Sequence, residues 1–212
     1  MENLDQIAGI IALTMGASWA SGINLYATLF MLGWMGSTGN IDLPVELQVL
    51  ENPLVLGAAG LMYGVEFFAD KIPGVDTAWD SIHTFIRIPA GAMLAAAAVG
   101  DTNAAIELAA AIAGGGMAAT THIAKSGSRV LINTSPEPFT NWAASIGEDI
   151  SVIGGLWLAL NNPWLFLAAL AAFILFMVWF LPKVWRGIKK VFRFIGRLFG
   201  AKDNKTEPPE QS

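Results

Sequence analysis

Residues 163–181, PWLFLAALAAFILFMVWFL, contain no charged side chain. A helix needs about 20 apolar residues to cross about 30 Å of hydrocarbon. Irregular backbone is excluded there, because no water satisfies its polar groups. This run therefore commits the chain to a bilayer and to α-helix. Composition agrees: mean hydropathy is +0.54 and 14% of residues are charged, where a soluble domain carries about 25%. Further apolar runs lie at 7–36, 53–69, 103–124 and 141–160, with a short piece at 88–100. The expected fold is all-α, a polytopic integral membrane protein of about six membrane segments, some short or broken.

Two segments depart from a plain span. The first is about 30 residues long and carries SWASGIN in its middle, where Gly22 and Asn24 weaken a helix. It is either one tilted helix or a broken one. The piece from Ile88 to Gly100 measures about 20 Å at 1.5 Å per residue, too short to cross unless the bilayer thins around it. The opening MENLDQIAGI has two acids and no base, unlike the basic start of a cleavable signal peptide. The first run is expected to stay as a span.

Charge is sorted along the chain. The net charge of -5 hides that eight of the twelve basic residues lie between Lys183 and Lys205. The positive-inside rule puts that end in the cytoplasm. Threading back through six spans places Lys125 and Arg129 on the same side, GNIDLPVELQVLEN outside, and the N-terminus also inside. Cysteine is absent, so no disulfide, thiolate nucleophile or cysteine metal site exists.

Two stretches carry an amphipathic helical period. Val75, Trp79, Ile82 and Ile86 form one apolar stripe, and Asp76, Asp80, His83 and Arg87 follow one residue on. The expectation is an interfacial helix whose polar face meets water and headgroups. A divalent cation held by Asp76, Asp80 and His83 is the competing reading, since the donor atoms suit one. After Pro182 the device recurs, with Val184, Ile188, Val191 and Ile195 on one side. Lys183, Arg186, Lys190, Arg193 and Arg197 lie on the other, a face suited to anionic lipid. The chain thus divides into a membrane domain at 1–182, a basic amphipathic helix at 183–200 and a disordered polar tail at 201–212.

An internal duplication is suggested by NPLVLGAAGLMYGVEFFADKIP at 52–73 and NPWLFLAALAAFILFMVWFLP at 162–182. Each opens with Asn-Pro, proline being favoured at the first helical position, and each meets a second proline near its end. Glu66 and Asp70 stand where the second copy has Phe176 and Phe180. Acids within a span are costly and mark functional sites by default; the competing reading snorkels them or pairs them with Lys71 and Arg87. His122, Lys125 and Arg129 share one face at the end of another span, suited to a lipid phosphate, an anionic solute or simple anchoring. GASWASGIN and AIAGGGMAATT are small-residue runs that let helices approach. A glycine-broken span carrying Ser21 and Asn24 is also how transporters expose backbone at mid-membrane.

No phosphate-cradling glycine loop, His-Glu-x-x-His or Gly-x-Ser-x-Gly occurs, which weighs against an enzyme. The expected function is transport or translocation of a small solute, ion or lipid. Ser21, Asn24, Glu66, Asp70, Lys125 and Arg129 are the candidate polar path. The runner-up is a non-enzymatic membrane scaffold using the basic helix; a metal-dependent lipid-modifying enzyme ranks third. The expected partners are membrane lipids, with anionic headgroups at the cytoplasmic face. No nucleic acid, cofactor or metal is implied, and a homo-oligomer is compatible with this reading.

SGINLYATLFMLGWMG, FFADKIPGVDTAWDSIHTFIRIPAGA and THIAKSGSRVLINTSPEPFTNWAASIGED together resemble an uncharacterised family of bacterial membrane proteins. That family is catalogued as domain of unknown function four-one-two-six. The resemblance covers most of the chain, to about the end of the last span, with the basic C-terminal segment as an addition. It implies a polytopic inner-membrane protein with no assigned activity and no catalytic residues to carry over.

Overall fold

Polar caps cut the apolar sequence into helices. Asn52 accepts from Leu54 N and Asn103 from Ala105 N and Ile106 N, satisfying donors that a helix start leaves unpaired. Asn24 is extended, at φ -146° and ψ 99°, and accepts from Ala27 N at 2.9 Å. The first apolar run is therefore broken at Asn24. The computed structural model describes residues 2–72, 74–134 and 138–198, without the side chains of residues 138, 195, 197 and 198. Its helices are α1 (Glu2–Ile23), α2 (Leu25–Ser37), α3 (Pro53–Ala69), α4 (Val75–Ala98), α5 (Ala104–Ile132), α6 (Pro138–Asn161) and α7 (Pro163–Leu198). A 3-10 helix, Val45–Glu51, precedes α3.

The architecture is all-helical among the described residues. Five helices are long and apolar enough to cross a membrane, or six if the 3-10 helix and α3, bent by 69°, count as one broken span. Large apolar side chains such as Leu54, Phe85, Leu61 and Leu175 point outward. Such a continuous exposed apolar surface is stable only in lipid. The chain is a multi-pass membrane protein.

The centre of the bundle is α1, which touches α4, α5, α6 and α7. Its buried face is made of small residues, Ala12, Ala17, Ser18 and Ala20. Close approach is demanding between α4 and α5. A Cβ on Gly114 would stand 2.2 Å from Ala95 Cβ and 2.6 Å from Ser18 Oγ, and one on Gly91 would stand 2.4 Å from Ala118 Cβ. Without side chains at these points, Ser18 Oγ reaches Gly91 O at 3.0 Å. The small-residue runs are the packing seam of the bundle.

Helix directions correct the expected placement of the ends. Trp164 Nε1 donates to Asp5 Oδ1 at 2.8 Å, and Trp19 meets both Phe166 and Phe173 edge-on. So α1 and α7 run side by side in the same direction. The first turn of α1 and the last turn of α7 consequently lie at opposite ends of the bundle, not on one face. The cause is the break at Asn24. There the chain turns back through α2, bringing Asn40 to Pro44 beside Gln6 to Leu13 of α1. With this return leg, residues 7–36 do not make a single crossing.

Two further expectations change. Residues 75–98 form one continuous helix through Pro89, so the interfacial helix and the short apolar piece are a single element about 36 Å long. Likewise α7 continues through Pro182. Val184 and Ile188 pack against Gly127, and Gly187 against Leu131, so the basic segment begins as an extension of a span and not as a separate helix. The two Asn-Pro segments share their helix start but not their end, since α3 stops at Ala69. The polar tail at 201–212 lies outside the described residues.

Candidate functional site

The polar stripe of α4 faces inward. Asp76, Asp80, His83 and Arg87 are all buried, whereas Val75, Ile82 and Ile86 are exposed. The expected headgroup-facing surface is thus corrected. In lipid the apolar stripe turns outward, and the polar stripe must find partners inside the protein.

Those partners come from the ends of α3 and α5 and from α6. Arg87 Nη2 is 2.5 Å from Glu66 Oε1 and its Nη1 is 3.1 Å from Asp80 Oδ1. Lys125 Nζ donates to Asp70 Oδ2 at 2.8 Å and to Ile23 O at 3.1 Å. Glu148, Glu66 and Asp80 lie 3.4, 3.6 and 3.8 Å from the same nitrogen. Ile23 ends α1, and its carbonyl is free to receive the ammonium because the helix breaks there. Arg129 binds both oxygens of Glu148, through Nε at 3.2 Å and Nη2 at 2.6 Å. Its Nη1 donates to Asp70 O at 3.2 Å, to Asn141 O at 3.0 Å and to Asn141 Oδ1. Asn24 Nδ2 donates to Asp149 Oδ1 at 3.1 Å.

Charge does not balance in this cluster. Glu66, Asp70, Asp80 and Glu148 face Arg87, Lys125 and Arg129, four carboxyls against three cations, with Asp149 beside Asn24 and Lys71 at the edge. Glu66 Oε2, Asp70 Oδ1 and Asp80 Oδ2 are buried with no hydrogen-bond partner. Buried carboxylate oxygens without a donor are costly. Arg87 Nε is unpartnered as well, and the three free oxygens leave acceptor capacity for a further positive charge or proton.

At the edge of the cluster, in the turn after α3, Lys71 Nζ donates to Phe67 O at 3.0 Å and sits 2.9 Å from the Phe67 ring centroid. Burial lowers its ammonium below the ordinary lysine value, with Asp149 and Asp70 acting in the opposite sense.

A groove of about 490 Å³ leads from the surface to this cluster. Trp19, Phe173 and Phe180 form its apolar walls, and Lys125 and Glu148 form part of its polar side. It opens between α6 and α7, over α1.

The family described as Domain of unknown function (DUF4126) matches residues 11–183. The chain belongs to this family. No curated protein and no solved structure matches it. Membership in the DUF4126 family brings no assigned activity.

In this DUF4126 chain, four of the six residues proposed as a polar path, Glu66, Asp70, Lys125 and Arg129, meet in one ion network. Asn24 joins through Asp149. Ser21 does not join: its hydroxyl donates to Ser18 O at 3.2 Å, in the packing seam. Arg87 pairs with Glu66, but Asp70 takes Lys125 and not Lys71. Asp76, Asp80 and His83 are separately engaged. Asp76 accepts from Asn133 Nδ2 at 2.8 and 3.0 Å, Asp80 pairs with Arg87, and His83 stacks on Trp79 and meets Tyr26 Oη at 3.2 Å. Among the described residues no group of three His, Cys, Asp or Glu is arranged to hold a metal.

Glu148, Asp149 and Asn141 were not singled out by the sequence reading. The available signal was two adjacent acids, Gly-Glu-Asp, inside the run at 141–160. Acids there are as costly within a span as Glu66 is. His122, weighed only with Lys125 and Arg129, instead faces Thr84 Oγ1 at 2.6 Å and Arg87 Nη1 at 3.3 Å.

Proposed function

We propose that this protein moves a small cation across the membrane, by way of the carboxyl-rich cluster between α3, α4, α5 and α6. One observation carries the reading: Glu66, Asp70 and Asp80 are buried with an unpartnered oxygen each, in a cluster where carboxyls outnumber cations. A passing cation or proton offsets that surplus. A cluster meant only to hold helices together gains nothing from it, because uncompensated buried charge is destabilising. The broken end of α1, which offers a backbone carbonyl at the same place, fits the same use.

The proposed location is a bacterial inner membrane with the basic end cytoplasmic. Lys71, Arg87, Lys125, Arg129 and the basic part of α7 occupy one half of the bundle, while Glu2, Asp5, Asp42, Glu46, Asp101 and Glu107 lie towards the other. This is the asymmetry the positive-inside rule expects.

The test is cation flux into liposomes containing the full chain, followed with dyes for protons, sodium and potassium under an imposed potential. Wild-type protein is expected to exceed protein-free liposomes for at least one ion, and Glu66→Gln and Arg129→Gln to reduce that flux. Rates are normalised to folded protein by gel filtration. Wild-type rates in both variants would show that the path is wrong.

A scaffold function is the second reading, favoured by the exposed surface of α7. Lys183 Nζ lies 2.7 Å from the Trp179 ring centroid and Lys189 Nζ 5.2 Å from that of Trp185. Phe192 and Phe194 are exposed nearby. Cations held over exposed aromatics suit anionic headgroups. Deleting residues 189–212, beyond the contacts with α5, separates the two readings: a transporter keeps its flux, and a scaffold loses its lipid or partner.

A further inference from the structure

The groove between α6 and α7 has a polar side made almost entirely of acceptors. Ser128 Oγ donates to Lys125 O at 2.7 Å and Ser151 Oγ to Gly147 O at 2.6 Å. Thr121 Oγ1 is directed at Trp19 O, Met117 O and Ala118 O, each at 3.1 Å. Each hydroxyl hydrogen is thus committed to backbone, and what these side chains offer the groove is lone pairs. Lys125 does not reverse this character, because four carboxylates and a carbonyl surround its ammonium. Glu148 is the carboxylate of the cluster with the most exposed side chain, at 18%. The opposite walls are the aromatic rings of Trp19, Phe173 and Phe180.

Acceptors on one side, aromatic faces on the other and a negative surplus behind them fit one class of ligand. We propose that this groove binds a lipophilic cation, an apolar body carrying an ammonium-type charge that rests against Glu148 while the body packs among the rings. An anionic amphiphile of the same shape would meet lone pairs and the carboxyl surplus. The proposal rests on reading the cluster as favouring positive charge. It names the ligand as an apolar cation that arrives from the lipid side.

The test is equilibrium binding, which needs no flux. Full-length protein in nanodiscs of zwitterionic lipid is dialysed against tetraphenylphosphonium and, separately, against tetraphenylborate, which has the same shape and opposite charge. Empty nanodiscs are subtracted. Saturable binding of the cation alone is expected. Glu148→Gln should weaken it roughly tenfold, as loss of the Coulomb attraction of one partly buried carboxylate does. Ala144→Trp and Ser151→Leu, which fill the groove from α6, should abolish it with the melting temperature unchanged. Binding of tetraphenylborate as tight as that of the cation, no saturable binding of the cation, or binding that survives both groove-filling variants would overturn the proposal. A protein that binds the probe but moves no ion would sink the transport reading and leave this one standing.

Discussion

Arg87 Nη2 lies 2.5 Å from Glu66 Oε1, and neither side chain has exposed surface. The pair joins α4 to the end of α3 across 21 residues of sequence. Removing one member of such a pair leaves a buried charge without compensation, at a cost of about 3–5 kcal/mol, whereas replacing both by apolar side chains of similar volume is near neutral. Glu66→Leu and Arg87→Met are each expected to lower the melting temperature in detergent sharply. The double variant should recover only part of that loss, because Asp80 still loses Arg87. A loss in the double equal to the sum of the two single losses would show that the two side chains act independently.

How much of this was legible beforehand differs by residue. The period over 75–87 identified a helix but not its rotation. An amphipathic helix at a headgroup surface and one turned inside out in lipid share a single sequence pattern. The residues that decide between them, Glu66, Lys125 and Glu148, are distant in sequence. At Asn24 the sequence shows two poor helix residues, Gly22 and Asn24, which leave a tilted helix and a broken one both open, whereas the Asn-Pro starts are legible because proline and a capping amide act locally. Pro182 misled for the opposite reason. Its local effect is to weaken a helix, but contacts of Val184 and Ile188 with Gly127 carry α7 past it. Burial of the ion cluster depends on five helices meeting, which no local rule encodes.

The two glycines Gly114 and Gly116 make a controlled comparison within one turn of α5. A side chain at Gly114 collides with Ala95 and Ser18, while one at Gly116 meets nothing within 4 Å. Gly114→Leu is expected to separate α4 from α5 and destabilise by several kcal/mol, as overpacking of a tight seam does. Gly116→Leu should be neutral or stabilising by about 0.5–1 kcal/mol, since leucine is the better helix former. Thermal melts of both variants in one detergent check this directly.

Asn24 performs two tasks with one side chain: Oδ1 accepts from Ala27 N at 2.9 Å and Nδ2 donates to Asp149 Oδ1 at 3.1 Å. Asn24→Ser keeps a cap acceptor but loses the amide, and Asn24→Asp keeps the cap and brings a second carboxyl beside Asp149. Loss of the buried hydrogen bond to Asp149 costs about 1 kcal/mol, and a buried like-charge contact costs more. The expected order of melting temperatures is wild type, then Asn24→Ser, then Asn24→Asp at neutral pH, with Asn24→Asp partly rescued on acidification as the added carboxyl takes a proton. An Asn24→Asp protein as stable as wild type would place Asp149 outside the polar cluster.

The direction of α1 relative to α7 makes the last prediction. Trp164 joins Asp5, so the start of α7 sits beside the start of α1, and the loop at Asn40 to Pro44 lies at that same end. The exposed residue Arg193 lies near the other end of α7. The chain has no cysteine, so single cysteines at Asn40 and Arg193 report without background. In sealed right-side-out vesicles a small membrane-impermeant maleimide is expected to label Asn40→Cys and spare Arg193→Cys, with the order reversed in inverted vesicles. This follows because the basic end of α7 is held inside by the positive-inside rule and α1 with α7 fixes the other end opposite. Labelling of both from one side would mean that α2 and the loop after it do not return to the start of α1. The cluster would then have lost the broken helix end on which Lys125 rests.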